Sequence, residues 1–189
     1  MKSRHLIYNS LSGKILLVVL AILFTLCVRP AYPASEPGTI TIVLGQEPVD
    51  LEPNNNTRNI EGSVLMRNIV ETLTERNLAD SSIMPRLATS WKQIDANTWH
   101  FILRQGVKFH DGKDFNAEAA VFNIKRLYDK RITSQTRGKF FSHFHMEGKA
   151  LDSHTLEIKT DKFEPLLPTL MGILAICSPN TPLDKWTRH

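Results

Sequence analysis

Cysteine is nearly absent. Of 189 residues only Cys27 and Cys177 carry a thiol. Disulfides therefore do not staple this fold, and its stability has to come from burial. Net charge disappears once the N-terminus is set aside. The chain has 23 basic and 19 acidic residues. Lys2, Arg4, Lys14 and Arg29 are the Lys and Arg residues before Ser35, and no acidic residue stands there, which leaves 19 of each sign. No basic stripe remains to neutralise phosphates, so a nucleic-acid partner is not expected. Catalytic signatures are missing too. Neither G-x-S-x-G, H-E-x-x-H nor a phosphate-loop pattern occurs, so nothing points to an enzyme. A cofactor is not expected either.

What is present begins with an export signal. Lys2, Arg4, His5 and Lys14 lead into an apolar run from Ile15 to Val28, which Pro30 ends. A charged lead and a run shorter than the roughly 20 residues of a membrane span describe a signal peptide over 1–34. Cleavage is expected after Ala34, in Ala31-Tyr32-Pro33-Ala34. Cys27 follows Leu26, a large residue where lipid attachment wants a small one, so lipidation is not expected. The mature chain is expected in the periplasm or at the outer face of the cytoplasmic membrane, as a monomer.

The period of the apolar residues assigns the elements. Thr39–Leu44 is a β-branched run between Gly38 and Gly45 and reads as a strand. Ile60, Val64, Leu65, Ile69 and Leu73 recur at helical spacing. A short strand follows near Thr74, then a turn over Asn77–Ser82. Ser90–Ile94 and Thr98–Arg104 form a hairpin around Asp95-Ala96-Asn97, with Trp99, Phe101 and Leu103 on one face. Asp111-Gly112 makes a tight turn. Asn116 caps a helix over Ala117–Lys130. Its buried stripe is Ala120, Ile124 and Leu127, while Lys125, Arg126, Asp129 and Lys130 face water. Residues 131–148 read as polar and irregular. Ala150-Leu151 and Thr155–Lys159 form a hairpin-like pair, and Leu166–Ile176 is an apolar stretch.

These blocks carry a resemblance. Leu87–Trp91, Thr98–Arg104, Gly106–Gly112, Phe115–Glu118 and Ile124–Leu127 resemble the signature block of the family 5 extracellular solute-binding proteins. Thr39–Leu44 with Gln46-Glu47-Pro48 and Leu51-Glu52-Pro53 looks like the family's opening strand. Val64–Thr74 resembles the helix and strand that follow it, and Phe163-Glu164-Pro165 and Ser178-Pro179 are at home beyond it. The resemblance implies an α/β fold: a mixed-sheet periplasmic-binding-protein-like lobe I with an inserted α+β subdomain, the second lobe missing. It implies 35–50 as the first strand segment of lobe I, 51–164 as the inserted subdomain and 165–189 as a truncated return into lobe I, so that Thr39–Leu44 and Leu166–Ile176 are expected to lack pairing partners and leave apolar surface exposed. It implies the substrate-binding component of an ABC importer, with an oligopeptide or related small solute and a membrane permease as partners. Ligand contacts are expected from Asn55, Arg58 and Glu61. Two departures stand out: Ala119 replaces the Asp that would complete a capping box, and Asp95-Ala96-Asn97 lacks the usual Gly.

A rival reading comes from histidine. His143-Phe144-His145 sets two imidazoles on one face if that segment is a strand, and His110 beside Asp111 adds a third ligand. The alternative is thus a small exported metal-binding protein using His110, His143 and His145. Trp91 and Trp99 are expected in the core rather than as a ligand-stacking platform.

Overall fold

The structure is a computed structural model that describes residues 66–181 and, before them, 38, 40, 43, 52–55 and 62. The chain divides into two compact units, Met1–Val43 and Leu44–His189. The expected signal peptide lies outside the described residues. Of the strand expected over Thr39–Leu44, Ile40 and Val43 are described; both are exposed and outside any strand.

The helix that apolar spacing predicts over Ile60–Leu73 ends earlier than expected. Residues 66–68 are helical, but residues 70–73 are not. Glu71 bridges Ile176, and the carbonyls of Thr72 and Leu73 accept from Leu87 N (3.2 Å) and Ala88 N (2.8 Å). Three tertiary pairings outweigh a last helical turn, in a segment where Ile69, Val70 and Thr72 are β-branched. The chain then forms a small hairpin, β1 (Thr74–Arg76) with β2 (Ile83–Pro85). Its turn closes through Asp80 Oδ1, which accepts from the amide and the hydroxyl of Ser82.

The main sheet is antiparallel throughout, with spatial order β3-β4-β6-β5. β3 (Ala88–Asp95) and β4 (Thr98–Leu103) are the expected hairpin, with β3 starting two residues early. Asp95 Oδ1 accepts from Asn97 N at 2.8 Å, so an Asx turn does the work usually given to Gly. Phe101 and Leu103 are buried and Trp99 is half-buried on the same face, and Trp91 and Trp99 pack against the core as expected. β6 (Thr155–Thr160) sets Leu156 opposite Phe101 and Ile158 opposite Trp99.

Two elements depart from the irregular stretch expected over 131–148. Ser134 caps a short helix, α2 (Gln135–Phe140), by accepting from Arg137 N, and β5 (Met146–Ala150) pairs along the free edge of β6. Met-Glu-Gly-Lys-Ala has little strand propensity of its own. The edge of β6 supplies the pairing, and Gly148 allows close packing: a Cβ there would stand 2.7 Å from Ile124 Cδ1.

That close approach comes from α1 (Ala117–Leu127), which lies against β5 and β6. Asn116 Oδ1 accepts from Ala119 N at 2.9 Å, so the helix start is capped without an Asp at 119. Ala120, Ile124 and Leu127 are buried as expected. Arg126 is not in water: it is 5% exposed, because it continues a second buried row, Ala119-Asn123-Arg126, at spacings of four and three. The apolar stretch after Pro165 is also not left bare. Leu167–Leu170 forms α3, and Leu167, Met171, Leu174 and Ile176 join the same core as Leu73, Phe101 and Leu156.

Candidate functional site

Two arrangements carry the polar chemistry of this unit. The first is a cleft of about 690 Å³. Ile69, Val70, Leu87, Val107, Phe115 and Ile176 contribute its apolar lining, and Arg67, Arg86, His110 and Asp111 its polar groups. A cavity of this size is of the kind that takes small molecules. Its polar side is built by the hairpin-like loop 107–115, which closes through Phe115 N to Val107 O and needs the positive φ of Gly112 (84°). Asp111 stands at its tip. Oδ2 accepts from Ser178 Oγ at 2.5 Å and Oδ1 from Lys113 N at 3.0 Å. These two donors, the Ser178 hydroxyl first, hold the Asp111 carboxyl below its ordinary range. Arg86 is engaged with Glu71 at 3.3 Å.

The second arrangement is a buried polar seam beside α1. Arg126 Nη2 lies 2.5 Å from Glu52 Oε2, and both side chains are at most 5% exposed. Glu52 Oε1 accepts from Asn54 N at 3.3 Å. Asn54 Oδ1 accepts from Ala175 N at 3.1 Å. One turn before Arg126, Asn123 Oδ1 accepts from Cys177 N (2.9 Å), and its Nδ2 donates to Cys177 O and Ala119 O (both 2.8 Å). Burial, reinforced by the Glu52 charge, pushes the Cys177 thiol up to about 12, so this thiol is inert.

The expected ligand residues are only partly placed. Asn55 is half-buried at the end of the turn Pro53–Asn55, its amide donating to Glu52 O at 2.9 Å. Arg58 and Glu61 lie outside the described residues. The histidines do not assemble as the metal reading requires. His110 lines the large cleft, whereas His143 and His145 line a separate depression of about 460 Å³. Both precede β5 instead of sharing a strand face. His143 Nε2 is paired with Glu164 Oε2 at 3.0 Å, and the His145 ring packs on Tyr128 at 4.2 Å. Among the described residues no group of three or more His, Cys, Asp or Glu is placed to hold a metal ion. Sequence reasoning missed the seam. Its available signal was the spacing that sets Asn123 and Arg126 in one row with Ala119.

Comparison with known proteins agrees with this architecture. Residues 82–188 match the family described as "Bacterial extracellular solute-binding proteins, family 5 Middle". The periplasmic murein peptide-binding protein of Escherichia coli is 31% identical over 144 residues, covering 68% of this chain and 26% of the relative. The nickel-binding periplasmic protein of the same organism is 36% identical over 85 residues, 44% of this chain and 16% of the relative. Among solved structures, the nickel ABC transporter protein of Bacillus halodurans superposes with a TM-score of 0.60 at 26% identity, covering 75% of this chain and 28% of that one. The E. coli murein tripeptide-binding protein gives 0.62 at 25% identity, covering 70% and 29%.

The fold is thus that of the periplasmic binding proteins, a mixed α/β architecture with antiparallel sheets. The chain belongs to the family 5 bacterial extracellular solute-binding proteins, which serve transport by binding and are not enzymes. It spans about a quarter of the length of the murein peptide-binding relative and less of the nickel-binding one. Among the described residues, no helix is long and apolar enough to cross a membrane.

Proposed function

We propose that this chain is the N-terminal portion of the substrate-binding component of an ABC importer for peptides or similar solutes, with most of the ligand site contributed from outside it. The observation that carries the reading is the family match over 82–188, a span that includes the loop 107–115 and α1. The relatives named for murein peptides, oligopeptides and nickel support a small-solute cargo. In this reading residues 1–34 direct export and are removed, 35–50 open lobe I, 51–164 form the inserted subdomain and 165–189 return toward lobe I. Asn55, Arg58 and Glu61 contact solute from the loop that Glu52 anchors. A membrane permease receives the loaded protein, which acts as a monomer. The metal-binding alternative has no supporting geometry, because His110 stands apart from His143 and His145.

The experiment is to read the gene downstream of codon 189 and to purify the extended product. A following second lobe is expected, together with calorimetric binding of a peptide from a mixed library or of nickel by the extended product. Absence of both a second lobe and solute binding would refute the reading.

A further inference from the structure

The large cleft has a wall that is apolar yet incompletely covered. Ile69 is 52% exposed, and Val70, Val107 and Phe109 are half-buried. A single apolar residue at a surface is ordinary, but four lining one cleft make the kind of surface that takes an apolar partner. The outgoing chain is led to this place. Ser178 Oγ donates to Asp111 Oδ2 at the tip of the loop 107–115 and accepts from Asn180 N at 3.2 Å. Thr181 N donates to Ser178 O at 3.0 Å and closes a turn in which Pro179 has its φ fixed by the ring. Ser178, Asn180 and Thr181 themselves line the cleft. The chain thus leaves the described residues at the cleft wall, and Pro182–His189 follow in sequence. That segment holds two large apolar residues, Leu183 and Trp186, at a spacing that shares one face of a helical turn.

We propose that the occupant of this cleft is the chain's own segment 182–189, seated through Leu183 and Trp186, and not a solute. Trp186 is five residues beyond Thr181. Its backbone lies within about 8 Å of Thr181 at the helical rise and within about 17 Å when extended, and either reach suffices for a cleft of 690 Å³. A tethered segment meets the cleft at an effective concentration on the order of millimolar, which a free solute has to match. The indole also has the area to cover the wall, since a Trp buries about 150–250 Å². Trp91 and Trp99 already pack against the core, which leaves Trp186 as the remaining Trp to be placed. The proposal goes beyond the solute-binding reading and does not rest on it.

Nuclear Overhauser spectra of the full 189-residue chain, with Ile and Val methyls labelled, test this. The Trp186 indole is assigned by its loss in Trp186→Phe. Cross-peaks from that indole to the methyls of Ile69, Val70 or Val107 are expected within one molecule. An indole with no cross-peak to any of the three overturns the proposal. A mixed sample, in which one half of the molecules carries the labelled methyls and the other half the labelled indole, separates a second copy. Cross-peaks found only between molecules give the cleft to that copy and also overturn it. Trp186→Ala should shift the same three residues' methyls while the amides pairing β4 with β6 keep their protection. Methyl positions unmoved by Trp186→Ala would count against the segment as occupant, and neither failure touches the solute-binding reading.

Discussion

The two flanks of α1 contrast in chemistry and in what they specify. On one flank Ala120, Ile124 and Leu127 share a core with Phe101, Leu156 and Ile158. On the other Asn123 and Arg126 hold Glu52 and Cys177. The apolar flank supplies most of the stability, but apolar contact is not directional and tolerates many partners. The polar flank adds little net stability, since a buried ion pair roughly repays its own desolvation. What it adds is selection, because the Glu52 carboxylate meets the Arg126 guanidinium in one buried geometry. The helix thus builds the body with one side and places its connections with the other.

The largest effect is expected on the apolar flank. Phe101 is fully buried, and Phe101→Ala should destabilise by about 3–5 kcal/mol in urea melts. Trp99, on the same face but half-buried, should cost about 2 kcal/mol as Trp99→Ala, because less of its surface is removed from water. Equal losses would mean that the two side chains are equally buried and that the face is misassigned. On the polar flank, Arg126→Met removes the guanidinium beside the buried Glu52 carboxylate and should cost about 3 kcal/mol. Adding Glu52→Leu to that variant should restore most of the loss, since an apolar pair replaces an ionic one at little net cost. A double variant as unstable as the single one would show that the seam contributes stability outright, and the contrast between the flanks would fail.

A smaller effect concerns the loop that lines the cleft. The Asp111 carboxyl is depressed below 3.8 by the Ser178 hydroxyl and the Lys113 amide. A depressed folded-state value means that this contribution is complete above 3.8 and is lost as pH falls through the lowered value. An NMR titration of Asp111 should therefore have its midpoint below 3.8, and Ser178→Ala should move it upward. A midpoint unmoved by Ser178→Ala would remove that hydroxyl as the cause.

How much of this was legible in the sequence follows the range of the interactions. The β3–β4 hairpin, the Asp111-Gly112 turn and the Asn116 cap are made by residues a few positions apart, and their turn chemistry is written locally. β5 was not legible, because its pairing comes from the edge of β6 rather than from Met-Glu-Gly-Lys-Ala itself. Leu166–Ile176 was recognised as apolar, but its cover is Leu73 and the α1 core, far away in sequence. Arg126 was placed in water because charge usually goes there. Its partner Glu52 lies 74 residues upstream, beyond the reach of local spacing. For the candidate site, Asn55 was placed beside this anchor, and the histidines were dispersed by the same tertiary contacts that spacing does not reveal.

Under the proposed function, the ligand site of this family member is completed from outside the chain. Calorimetric titration of the 189-residue chain with a mixed peptide library, and separately with nickel, tests it directly. The account predicts no heat of binding in either titration, with the β4–β6 amides still protected as a sign that the body is folded. Binding at micromolar strength or tighter would contradict it and would mean that these residues build a complete site by themselves.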